Sequence, residues 1–341
     1  MRILSDWKFW LGLVLSGIFL FFAFKKVDIA ALTQVLNTVQ YVYLIPAIIL
    51  TVFSLWVRAL RWRFLLRPIK SISMGSMLST TSIGFMANNI FPARLGEIIR
   101  AYVIDHKEQV GKSASFATIV VERVFDGMTV LFFLFIVLLL RRFEIPVWIR
   151  SIMFAALFVY LFALVVLIIL KVRTEKTLNV IQWLISALPE RFKNRIQSIF
   201  RSFVRGLDIL HDTKNIGISV FLSLLVWLPH ALLIHLELMA FDIHLSFYAS
   251  MFIMVIICFG VMIPSAPGYV GTIQFLCVAG LALFQVPKED ALSFSLLYHA
   301  SQYIPVTAIG LVYFFMEGFT FSQIRKNTRT YEESKSDDES T

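Results

Sequence analysis

The chain has 341 residues, 58% of them hydrophobic and only 16% charged, with a mean hydropathy of +0.79. That composition excludes an ordinary soluble domain and points to an all-α, polytopic membrane protein, whose 33 Phe and 7 Trp suit lipid-facing and interfacial positions. The net charge of +9 would suggest a polyanionic partner in a soluble chain; here the basic residues flank apolar runs, where positive-inside topology and anionic headgroups account for them, so nucleic acid is not expected.

In chain order, the first apolar run spans Trp7 to Phe24 and stops at Lys25-Lys26 without a small-residue cleavage site, as a retained helix would. A second run, Tyr41 to Leu60, is followed by a basic stretch read from Arg58, Arg61, Arg63, Arg67 and Lys70 as a cytoplasmic loop, which places the N-terminus in the cytoplasm too. Residues 74–91 are rich in Ser, Thr, Gly and Asn and run into Pro92. Residues 97–104 then give only two turns, too short to cross a core of about 30 Å at 1.5 Å per residue. The stretch 74–104 therefore reads as a re-entrant hairpin open to the cytoplasm. Ser113 to Leu140 and Ser151 to Leu170 follow as spans, although Arg141, Arg142 and Arg150 then sit outside, against the positive-inside trend.

Residues 171–215 carry nine Lys/Arg against four Asp/Glu and contain a basic amphipathic helix around Phe192–Leu210. It suits either the inner leaflet surface or the cytoplasmic end of the bundle. Ile216 to Ala240 crosses back. Residues 248–263 and 269–285 flank a second Pro/Gly break, and the weakly basic loops around them mark a hairpin open to the outside. Leu292 to Phe319 is the last span. This organisation gives a transmembrane domain over residues 1–325 and a disordered cytoplasmic tail over 326–341. About six full spans and two oppositely oriented hairpins form pseudo-symmetric inverted halves in a cell (inner) membrane, with both termini cytoplasmic. Eight spans with two kinks is the competing count.

The two breaks, about half a chain apart, share the pattern Pro-x-x-x-Gly-polar-Ile: Pro92, Gly96, Glu97, Ile98 and Pro267, Gly271, Thr272, Ile273. Unwound backbone within a bilayer persists only where protein buries it or a wet cavity solvates it. Matched breaks in two halves are the best sequence pointer to a substrate site. Candidate binding residues are therefore Asn88, Asn89, Pro92, Arg94, Gly96, Glu97 and Arg100 at the first break. At the second they are Pro264, Pro267, Gly268, Gly271, Thr272 and Gln274. Glu122, Arg123 and Asp126 add intramembrane charge, each costing about 2.5–3.5 kcal/mol at a helix centre unless paired. Pairing of Arg94 or Arg100 with Glu122 or Asp126 relieves that cost; Arg94 or Arg123 is then left for a substrate anion, or the set is a purely neutralising network. Gly96 and Gly271 would let helix N-termini approach a phosphate. His230, His235, Glu237, His299 and Gln302 read as interhelical hydrogen-bond partners. Cys258 and Cys277 read as small core residues. No metal cluster, P-loop or nucleophile elbow is visible, so no metal or cofactor is expected.

The segments Asn88–Glu97, Glu122–Asp126 and Pro264–Thr272 resemble the flippase-like transmembrane region of lysylphosphatidylglycerol synthases, over roughly residues 5–320. The resemblance implies a pseudo-symmetric bundle that translocates or handles an anionic phospholipid or a polyprenyl-phosphate-linked intermediate, with a lipid-modifying enzyme as a candidate partner. At Gln274 many relatives carry a carboxylate. The soluble aminoacyl-transfer domain of the synthases is not in this sequence, which argues for a transporter rather than an enzyme and against lysyl transfer. The alternatives are a membrane-embedded glycosyl- or aminoacyl-transferase component and a non-catalytic scaffold.

Overall fold

A computed structural model describes residues 7–25, 27–91, 95–140, 147–184, 190–208, 213–262 and 265–320. Pro92, Arg94, Pro264, Arg141, Arg142 and the tail 326–341 lie outside the described residues, within which every regular element is helical. The helices are α1 (Trp7–Phe24), α2 (Ile29–Thr38), α3 (Leu44–Leu66), α4 (Met74–Ile90), α5 (Gly96–Glu108), α6 (Lys112–Leu139) and α7 (Val147–Val172). They continue as α8 (Thr174–Leu184), α9 (Glu190–Gly206), α10 (Thr213–Ala240), α11 (Phe247–Gly260), α12 (Thr272–Ala282) and α13 (Lys288–Met316).

Two stretches, Tyr41–Leu66 and Thr213–Ala240, are both long and apolar enough to cross a membrane. The 28-residue α6 and 29-residue α13 match them in length, at about 1.5 Å per residue, but carry charge at the middle and in the first turn respectively. The apolar α7 turns by 95° into α8, leaving the direction of the spans for a direction across them.

α4 packs on α5 and α11 on α12, so both predicted hairpins form. They open towards opposite ends of α13. At the open end of α4–α5, Lys107 pairs with Glu317 just beyond the C-terminus of α13, and Lys70 bonds Glu108 at 3.0 Å. The open end of α11–α12 leads directly into the start of α13. There Lys288 donates to the carbonyls of Phe22 and Lys25 at the end of α1, at 3.0 and 2.6 Å. The inverted arrangement read from loop charge is thus a geometric feature of the bundle.

Three local expectations change. The basic stretch after the second span is not all loop: α3 continues to Leu66, and Arg61 is wholly buried within it. α5 runs to Glu108, because the polar patch after Ile104 continues the helix to a left-handed end at Gln109 (φ 56°). An unforeseen α2 is capped by Asp28, whose carboxylate accepts from the Ala30 N–H at 2.8 Å. The amphipathic α9 divides its surface: Val204 and Gly206 are buried against the start of α6, as is Leu207 just after the helix, whereas Phe192 and Ile199 stay exposed.

The small polar residues of α4 have a packing reason. Ser79, Thr80, Thr81 and Ser82 are buried because α3, α5 and α13 all press on this helix. A Cβ on Gly310 of α13 would lie 2.6 Å from the Ser82 carbonyl, so only small residues admit such an approach.

Candidate functional site

The tips of the two hairpins meet. The second break is a short 3-10 turn, Pro267–Tyr269, with Gly268 and Tyr269 at φ 68° and 61°. A Cβ on Gly268 would stand 3.2 Å from the Asn89 carbonyl and 2.7 Å from the Tyr303 ring, so glycine is what lets the breaks touch. Asn89 is fixed by a bond from its amide to Thr307 on α13 at 2.8 Å.

Each break also supplies its own cap. The Asn88 side-chain oxygen accepts the Gly96 N–H at 2.9 Å, and the Gln274 side-chain oxygen accepts the Gly271 N–H at 2.7 Å. Gln274 reaches on to His299 at 3.1 Å, and His299 to the Gly268 carbonyl at 2.8 Å. This changes the expected role of both glycines. A Cβ on Gly96 would lie 2.0 Å from the Gly84 carbonyl, and one on Gly271 2.4 Å from the Ser16 carbonyl on α1. Their N–H groups are occupied by these side chains, and their missing side chains serve close helix contact. Thr272 and Gln274, likewise buried, are not among the residues lining the cavity described next.

Beside the meeting point lies a cavity of about 200 Å³. Its polar wall is formed by Arg58, Asn88, Asn89, Glu97, Arg123 and Asp126, with Trp227 and Phe85 beside them. Behind that wall Glu122 is fully buried and receives both ends of the Arg100 guanidinium, at 2.7 and 3.1 Å. Arg61 bonds Asp126 at 2.6 Å, lies 3.2 Å from Glu122, and donates to Ser223 at 2.8 Å. Arg123 reaches Glu122 at 2.6 Å and Asp126 at 3.2 Å, and more loosely Glu97 at 3.7 Å. Bidentate geometry of this kind is what makes a buried arginine tolerable. Gly84 leaves room for the Arg100 stem, whose guanidinium stacks 3.9 Å over Trp62.

Among the described residues the network sets four arginines (Arg58, Arg61, Arg100, Arg123) against three carboxylates (Glu97, Glu122, Asp126). The surplus cation sits at the cavity. Arg58 is held by Asp126 only at 3.9 Å and by the faces of Trp227 and Phe85, at 4.9 and 5.2 Å. Reading it as loop charge hid this residue and Arg61. The available signal was their three-residue spacing inside an apolar run, which puts both on one helix face.

Elsewhere, the histidines hold helices together: His230 bonds Tyr298 at 2.8 Å and His235 bonds Ser250 at 3.2 Å. Glu237 accepts from Ser301, and Gln302 donates to Thr51 at 2.7 Å.

Residues 9–310 match the family described as the lysylphosphatidylglycerol synthase TM region. The chain belongs to that family. Within the lysylphosphatidylglycerol synthase TM family it is similar to a UPF0104 membrane protein of Methanothermobacter thermautotrophicus, 22% identical over 79% of this chain and 84% of the relative. It is also similar to a UPF0104 membrane protein of Methanocaldococcus jannaschii, 23% identical over 88% and 92% respectively. A 120-residue stretch, 35% of this chain, is 30% identical to 19% of the glycosyltransferase AglD of Haloferax volcanii. No solved structure matches the chain.

Proposed function

We propose that this membrane protein binds the anionic headgroup of a phospholipid or polyprenyl-phosphate-linked intermediate at the meeting point of its two broken helices, and moves it across the bilayer. The observation that carries this reading is the charge network around the cavity, which among the described residues has one more arginine than carboxylate, with the loosest of them, Arg58, facing the cavity. A charge left over in a low-dielectric site is costly, and a bound phosphate cancels that cost. The polar wall recognises the phosphate: Arg58 and Arg123 as cations, Asn88 and Asn89 as neutral donors to headgroup oxygens. Asp126 and Glu97 keep Arg123 extended towards the cavity. The hairpins opening at opposite ends offer each leaflet an equivalent approach to one central site. Relatedness of a segment to a glycosyltransferase favours a lipid-linked sugar among the cargoes.

Reconstitution in liposomes with fluorescent phosphatidylglycerol, and separately with a polyprenyl-phosphate sugar, tests the proposal. Translocation without chemical change supports it. A new covalent product would instead indicate a transferase, and neither movement nor product would leave a scaffold.

A further inference from the structure

The cavity has a second, apolar wall. It is built by Tyr160 from α7 and by Phe259, Val261 and Met262 at the inner end of α11. Tyr160 lies near the middle of α7, and Met262 at the hairpin tip, so this wall stands near the midplane of the bundle. The side of α7 beyond it is apolar and exposed, with Phe158 at 70% and Phe162 at 60%. α7 packs chiefly on α6, leaving a seam between α7 and the end of α11. A bond from the Tyr160 hydroxyl to the Met262 sulfur, 3.3 Å long, spans that seam, and sulfur is a weak acceptor. Met262 is itself 46% exposed. The tyrosine ring is seated on Gly127, where a Cβ would fall 2.0 Å from the ring edge. Gly127 directly follows Asp126, so the closing ring and the anion-binding wall share one helix turn.

We infer that the seam between Tyr160 and Met262 is a lateral gate, through which a lipid slides its headgroup from the bilayer into the charged cavity while its chains stay between α7 and α11. The inference rests on the reading that the cavity takes an anionic headgroup, and it names how that headgroup arrives. A cavity with one polar wall and one apolar, lipid-facing wall fits an amphiphile better than a free anion. The tyrosine–thioether bond is weak enough to open with each passage, and the Gly127 seat returns the ring to one closed position.

The test places cysteines at Tyr160 and Met262 in a background where Cys258 and Cys277 are serine, with that background as reference. A direct disulfide requires Cα atoms within about 7 Å, less than two extended side chains span, so a reducible bis-methanethiosulfonate reagent bridges the pair. Bridging is expected to lower phosphatidylglycerol translocation at least tenfold, and reductant to restore it. Binding of water-soluble glycerol 3-phosphate should be unaffected by the bridge. In parallel, phosphatidylglycerol carrying a photoactivatable group at the top of its acyl chain should label α7 and the end of α11 in the unbridged protein in nanodiscs, and lose that labelling when bridged. Full bridging, verified by intact mass, with unchanged translocation and unchanged labelling overturns the gate. If the reference protein moves no lipid at all, the proposed transport falls, and loss or persistence of the photolabel still decides whether lipid enters by this seam.

Discussion

Arg58 and Arg61 lie three residues apart on one helix, yet the structure gives them opposite roles, and neutralising each in turn separates those roles. Arg61→Gln removes a wholly buried cation that touches Asp126 at 2.6 Å and Glu122 at 3.2 Å. Breaking such a pair costs about 3–5 kcal/mol, because the carboxylates left behind remain buried. Arg58→Gln removes a 3.9 Å contact and two aromatic faces, worth about 0.5–2 kcal/mol. It also balances three arginines against three carboxylates in the network, so the surplus charge that faces the cavity is lost. Losing one charge-assisted bond to a phosphate costs about 1.5–3 kcal/mol, roughly ten- to a hundredfold in headgroup affinity. The assay pairs thermal unfolding in detergent with lipid translocation per folded molecule. Arg61→Gln should unfold at markedly lower temperature and be poorly recovered. Arg58→Gln should fold nearly normally and fail to translocate. The reasoning is refuted if Arg58→Gln destabilises as much as Arg61→Gln, or if it folds and translocates at the native rate.

Removing either cap of the breaks, by Asn88→Ala or Gln274→Ala, leaves a glycine N–H without its acceptor and should cost about 1–3 kcal/mol in thermal or denaturant unfolding. Equal stability to the native protein would mean the side-chain amides do not hold the breaks. Single cysteines beside Lys107 and beside Lys288 should label from opposite faces of the membrane, Lys107 from the cytoplasm, since these residues mark the open ends of the two hairpins. Labelling of both from one face would contradict the inverted arrangement.

Much of the fold was legible in the sequence because the bilayer restricts the answer. Long apolar runs can only be helices there, and runs of two or three turns ending at Pro and Gly are too short to cross by themselves. The repeated Pro-x-x-x-Gly pattern and the loop charges together located both hairpins and their opposed orientation. The need to neutralise intramembrane charge pointed to Arg94 or Arg100 pairing with Glu122 or Asp126, and the structure pairs Arg100 with Glu122. Positive charge near the end of an apolar run has two readings, however. Arg58 and Arg61 look like the basic flank of a span until α6 is brought beside α3 and supplies Asp126 and Glu122. Only then does the charge become a network with a surplus.

The glycines divide in the same way. Sequence alone marks Gly96 and Gly271 as places where backbone comes close to something, and says nothing of what. Tertiary structure decides that the neighbours are the Gly84 and Ser16 carbonyls, while Gly268 is the glycine at which the two breaks meet. Sequence determined the class of protein, the long apolar helices and the breaks, because those follow from local hydrophobicity and from backbone hydrogen bonding in lipid. Which charge is spent on structure and which remains at the cavity depends on distances between helices far apart in the chain, and those only the packed bundle fixes.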